Sequence, residues 1–139
     1  MKTKIILFLF LINTSACVLD KNDRRNVLIV NKSDTPIYCF YSETNTFKYY
    51  YNLHEKLDFD SKLMILPNSS DHLLDKPRSW DVSEEDSFDH RMRFFIITKD
   101  SVDKYGWEKV AENNIYTKRY EYNIEELDSL NWTIVYEGL

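Results

Sequence analysis

The chain has 139 residues, with 18 Lys and Arg against 23 Asp and Glu and a formal net charge of −5. That length suits one domain, 43% hydrophobic residues exclude global disorder, and the negative charge argues against a general nucleic-acid binder, which needs a basic footprint. Only two glycines are present, Gly106 and Gly138, so a phosphate-cradling loop or a dinucleotide fingerprint is excluded.

Lys2 and Lys4 precede an unbroken apolar run over residues 5–12, and Asn13-Thr14-Ser15-Ala16 leads through small or polar side chains to Cys17. This is the pattern of a secretory signal peptide. The run is too short to span a bilayer as a helix, which takes about 20 residues. Ser15-Ala16-Cys17 resembles the lipobox of bacterial lipoproteins, with Thr14 standing where Leu is usual. The resemblance implies cleavage before Cys17, palmitate-type acyl chains on its sulfur, and a lipid-anchored protein of the cell envelope. Val18 after the cysteine resembles outer-membrane sorting. Acyl chains hold a protein by burying methylenes, each worth about 0.8 kcal/mol. The expected division is a signal peptide over 1–16, a lipidated Cys and polar tether over 17–25, and one globular domain over 26–139. Removal of Lys2 and Lys4 takes the net charge from −5 to −7.

Residues 26–31 (NVLIVN) form a β-branched apolar run that predicts a buried strand. Lys32-Ser33-Asp34-Thr35-Pro36 is turn chemistry, and a second strand follows over 37–41, so the pair is expected to be an antiparallel hairpin. Residues 42–60 are the least periodic stretch and are expected to be irregular with at most a turn of helix. Strands are predicted over 62–66 and 70–74, joined by Pro67-Asn68-Ser69, with Trp80 plugging an edge of the core. Ser83-Glu84-Glu85-Asp86 predicts one helical turn.

Residues 91–98 (RMRFFIIT) are the strongest strand, with Met92, Phe94 and Ile96 on one face and Phe95 and Ile97 on the other. Asp100 then predicts a helix carrying Val102, Tyr105, Trp107, Val110 and Ala111 as its apolar stripe. Gly106 within it costs about 1 kcal/mol against Ala, and Asn113-Asn114 suits its end. An edge strand over 116–122, a second helix capped by Asn123 with Glu126 in the reciprocal position, and a strand over 131–136 complete the chain. The fold class is therefore α+β, mainly antiparallel β, sandwich-like, with about seven short strands and two short helices.

Asn31, Ser33 and Asp34; Pro67, Asn68 and Ser69; Trp107 and Glu108; Tyr120; and the closing L-N-W-T-I-V-Y of residues 130–136 form a recognisable series. In this order the chain resembles a group of small lipoproteins of the Bacteroidetes that carry no assigned chemistry. The resemblance covers most of residues 26–136 and implies a fold and a location, with no mechanism.

Candidate chemistry is sparse. His54, His72 and His90 show no i, i+4 or H-x-H spacing. His54 with Glu55, Asp58 and Asp60 is a conceivable ligand set, as is the acidic group Asp81, Glu84, Glu85, Asp86 and Asp89, whose spacing fits no calcium loop. Solvated faces and helix N-termini account for both more simply. With Cys17 acylated, Cys39 has no disulfide partner and reads as a buried strand residue. No Ser lies in a glycine-flanked elbow.

Ten Tyr, eight Phe and three Trp make 15% aromatic residues. Phe47, Tyr49, Tyr50 and Tyr51 are the candidate binding patch, since rings with polar tips suit sugar stacking and protein interfaces. The expected function is a lipid-anchored, non-catalytic binding or structural module, with the membrane and an envelope protein or glycan as partners and no cofactor or metal. The alternative is a small hydrolase of envelope polymers, working through the 81–89 carboxylates or His54.

Overall fold

The strand Met92–Thr98 is buried along both faces, and the rest of the domain is arranged to cover it. A computed structural model describes residues 23–47, 63–74, 76–77 and 79–139. In chain order the elements are β1 (Leu28–Asn31), β2 (Ile37–Ser42), β3 (Ser69–His72), α1 (Trp80–Asp86), β4 (Met92–Thr98), α2 (Lys99–Glu112), β5 (Lys118–Tyr122), α3 (Ile124–Ser129) and β6 (Thr133–Tyr136). The chain is α+β and mainly β, with two three-stranded sheets ordered β3-β1-β6 and β2-β4-β5. All pairings are antiparallel except β1 with β6, which is parallel.

Side-chain alternation along β4 divides the core. Met92, Phe94 and Ile96 join Ile37 and Cys39 of β2, Ile29 of β1, Ile134 and Tyr136 of β6, Trp80 of α1 and Leu127 of α3 in a first cluster. Phe95 and Ile97 point the other way and join Tyr38, Phe40, Phe47 and the α2 residues Val102, Trp107 and Val110 in a second. The two-faced apolar strand anticipated from residues 91–98 is thus present, with one face toward the β3-β1-β6 sheet and the other under α2.

Four expectations are corrected. The described residues contain six strands, not seven, because, of the strand expected over 62–66, the described residues 63–66 contribute only a single bridge, Ile65 to Ile37. They contain three helices, because the expected turn at Ser83 is a helix that begins at Trp80, with Ser79 as its N-cap accepting from the Val82 N–H. The first two strands do not form a hairpin: both edges of β1 are taken by β3 and β6, and β2 lies in the other sheet. The polar stretch after β1 is a corner between sheets. Buried Asn31 builds it, its Nδ2 donating to the carbonyls of Thr35, Ile65 and Leu66 and its Oδ1 accepting from Ser33 N–H and Oγ–H.

The fourth correction is Gly106. It is not a tolerated mid-helix glycine but a break, with φ 76° and ψ 153° inside α2. On an unbroken helix, residues five apart diverge by about 140°, so Val102 and Trp107 could not share a face. The break lets both reach the second core, while Tyr105, expected in the stripe, is exposed. Two other readings hold: Asn114 takes a left-handed conformation after α2, and Asn123 and Glu126 form the capping box of α3.

Gly106→Ala therefore separates two effects of opposite sign. Nothing lies within 4 Å of an added Cβ, and helix propensity alone would make Ala stabilising. The positive φ decides the outcome: a loss of about 1–3 kcal/mol in urea unfolding is expected, and a gain would remove the break from the account. Phe94→Ala, which truncates a fully buried ring, is expected to cost about 3–5 kcal/mol in the same assay, and a loss below about 1 kcal/mol would contradict its core placement.

Candidate functional site

The segment that leads into β1 is fastened to the domain by the most concentrated polar network near the N-terminal end of the described residues. Asp23 accepts from the Arg25 backbone N–H at 3.0 Å, from Arg25 Nε at 2.9 Å and from the Trp80 backbone N–H at 3.2 Å. Lys76 Nζ donates to the carbonyls of Asp23 (2.8 Å) and Arg25 (3.2 Å), and the Trp80 indole N–H donates to the Arg25 carbonyl at 3.1 Å. The Arg25 guanidinium also donates to Asp81 and lies 5.0 Å from the centroid of the Trp132 ring. Trp132 packs on Trp80 at 5.4 Å and donates its indole N–H to Asp128. Of the residues expected to form the tether, 23–25 are therefore held against α1 and the α3–β6 connection.

The hydrogen bond from Arg25 holds the Asp23 carboxyl down to about 2, against 3.8 ordinarily, with backbone N–H donation from Arg25 and Trp80 adding to it and burial opposing it. The same pairing pushes Arg25 further up. Trp132 and Asn131 both have positive φ, 56° and 50°. That is an uncommon conformation for a bulky aromatic residue, and contacts on three sides of Trp132 hold it there.

A second polar cluster surrounds Arg93, which is 1% exposed although it lies in β4. Its guanidinium donates to Asn45 Oδ1, to the carbonyls of Glu43 and Arg91, and to Asp89, and the Phe88 ring lies 4.6 Å away. Arg119 bridges Asn45 and Glu121 beside it. These partners satisfy the donors of a buried guanidinium that shares its strand face with Phe95 and Ile97.

The acidic group of residues 81–89 is largely engaged in the same way. Asp81 pairs with Arg25, Asp89 with Arg93, and Glu84 accepts from the Ile124 N–H that opens α3. Among the described residues no group of three His, Cys, Asp or Glu converges as a metal site. His72 and His90 are exposed, on β3 and in the turn before β4. His54 with Glu55, Asp58 and Asp60 lies outside the described residues, as do Cys17 and Tyr49, Tyr50 and Tyr51. Phe47, expected in the surface patch, is buried in the second core against Phe40 and Phe95. Its ring is not available at the surface, because the turn over 43–46 folds it beneath α2.

Cys39 borders a small cavity with Ile29, Ile65, His72 and Leu74, of about 10 Å³. That is room for about one water and not for a ligand. Burial pushes the Cys39 thiol well up, so it carries no thiolate near neutral pH. Among the described residues no helix is long and apolar enough to cross a membrane.

No protein-family model matches the chain, and no curated protein or solved structure matches it significantly. Sequence reading missed both polar networks. Arg93 was visible on the same strand face as Phe95 and Ile97, a charged residue where an apolar one belongs. The Asp23–Arg25 fastening left no local signal, since its partners stand more than 50 residues away.

The sign of the Asp23 contribution to stability follows from its lowered pKa. The stabilisation is complete above about pH 4, where the unfolded carboxyl is also ionised, and is lost as pH falls through about 2. Asp23→Asn is expected to cost roughly 2 kcal/mol at pH 7 and to flatten the loss of stability between about pH 4 and 2. Urea midpoints at pH 7 and at the acid end of that range measure both.

Proposed function

We propose that this protein is a lipid-anchored lipoprotein of the bacterial cell envelope, sorted to the outer membrane, whose domain acts as a non-catalytic binding or structural module. The observation that carries the reading is the N-terminal series Lys2, Lys4, the apolar run 5–12 and Ser15-Ala16-Cys17. Together these supply a positive start, a hydrophobic core and a small-residue approach to an acylatable thiol. The likeness of residues 26–136 to small Bacteroidetes lipoproteins points the same way.

The domain supports the reading from its own side. The first core takes residues from both sheets, which supports a sandwich-like pairing of the two. Three of the five carboxylates that a hydrolase could draw on in residues 81–89, Asp81, Asp89 and Glu84, are bound by Arg25, Arg93 and the start of α3. The partner of such a module is an envelope protein or glycan, and Tyr49, Tyr50 and Tyr51, which lie outside the described residues, are the proposed contacts, since rings with polar tips suit such partners.

Cys17→Ala tests the anchor. The variant is expected to appear in the soluble fraction or to stall unprocessed, while the parent remains with membranes and carries a diacylglyceryl thioether by mass spectrometry. A variant that stays membrane-bound at mature size overturns the reading.

A further inference from the structure

The fastened segment lies next to the anchor in the chain, and that sets a length. Only six Cα–Cα steps separate Cys17 from Asp23. Fully extended, they reach roughly 20 Å. A domain of this size has a radius of gyration of about 13 Å, so the tether is shorter than the domain is wide. Had the chain been free up to β1 at Leu28, five further residues would have lengthened the tether and allowed the domain to turn over. Lys76, Trp80 and Asp81 prevent this by holding Asp23 and Arg25 on the α1–α3 side of the first core.

We propose that, once Cys17 is anchored, this fastening turns the α1–α3 end of the domain toward the bilayer and keeps α2 on the outward side. The inference rests on the lipoprotein reading above. The two ends are set apart by the fold: Trp132 lies over Arg25, whereas α2 covers the opposite face of the β2-β4-β5 sheet. Packed layers stand about 10 Å apart, so α2 lies two layers, roughly 20 Å, from the α1–α3 side, which is the whole extended reach of the tether; bringing α2 to the lipid would leave that chain no slack and take away its conformational freedom.

Attraction to lipid does not produce this orientation. Asp81, Glu85, Asp86, Glu125 and Asp128 are exposed at the α1–α3 end, and anionic headgroups repel them. The end is near the bilayer because the chain is short, and it stands off the surface because it is acidic.

The test uses the full acylated protein purified from its host and reconstituted in vesicles of phosphatidylethanolamine with a minority of phosphatidylglycerol. A fluorescent donor is placed at Ser129→Cys or Lys104→Cys, both exposed positions, and the acceptor is a headgroup dye. Cys39 stays unlabelled because it is buried, and Cys17 is blocked by its thioether. Greater energy transfer from position 129 than from position 104 is expected, and added salt should leave the difference in place. A flexible Gly-Ser insertion between Asn22 and Asp23, which alters no described residue, should abolish the difference. Asp23→Ala with Arg25→Ala should reduce it while circular dichroism shows the domain folded. Equal transfer from the two positions in a protein whose Cys17 carries the diacylglyceryl mass overturns the orientation and leaves the anchor standing. A difference that survives the insertion also overturns it. Absence of that mass overturns the anchor and the orientation together.

Discussion

β4 has no polar face to offer water. Met92, Phe94 and Ile96 project to one side and Phe95 and Ile97 to the other, and a strand of that kind is stable only between two apolar layers. The β3-β1-β6 sheet with α1 and α3 supplies one layer, and α2 supplies the other. The remaining features follow from that requirement. α2 must present Val102, Trp107 and Val110 to a single surface, and the break at Gly106 is what permits it. Arg93 is the exception on this strand. Its charge is tolerated because its donors are met by Asn45, Asp89 and two backbone carbonyls at the rim, which is the condition under which a buried cation does not unfold its host.

β1 is the central strand of its sheet, and a polar fixture stands at each end of it. Asp23 and Arg25 hold the approach, and Asn31 holds the exit, where it satisfies three carbonyls and two donors of the corner leading to β2. This arrangement matters for a module attached through its N-terminus. Motion of a tether would otherwise be transmitted to the strand whose two edges carry the sheet. The Lys76 and Trp80 hydrogen bonds meet it first. Under the proposed lipoprotein reading, anchoring and folding are linked through a few residues that were expected in the tether and that contact the domain.

The same networks bear on function. Asp81 and Asp89, which look like candidate chemistry in the chain, are bound to Arg25 and Arg93, and Glu84 is bound to the N-terminus of α3. The Asp23 carboxyl, held at low pKa by Arg25, is a permanent anion at any physiological pH and suits a fastening rather than proton transfer. Cys39, with its thiol pushed up by burial, is a packing residue. What the proposed reading draws on is the place where residues 23–25 are fastened relative to the two layers.

Much of the fold was legible because it depends on short-range pattern. Alternation exposed β4, the Asn123–Glu126 pair marked α3, and Asn113-Asn114 marked the end of α2, each within a few residues. The series from Lys2 to Cys17, on which the proposed address rests, is likewise read with no help from the domain. Strand partners were not legible. β1 and β2 were expected to pair because they are adjacent, yet both edges of β1 are claimed from residues 69–72 and 133–136. Phe47 looked like a surface ring because nothing local shows α2 closing over it. The sequence alone determined most of the extended and helical segments and the two apolar faces of β4, since backbone sterics and side-chain periodicity act locally. Tertiary structure decided which strands meet, where the corner falls and which polar residues become fastenings. Those outcomes depend on distant groups competing for the same edges, donors and apolar surface.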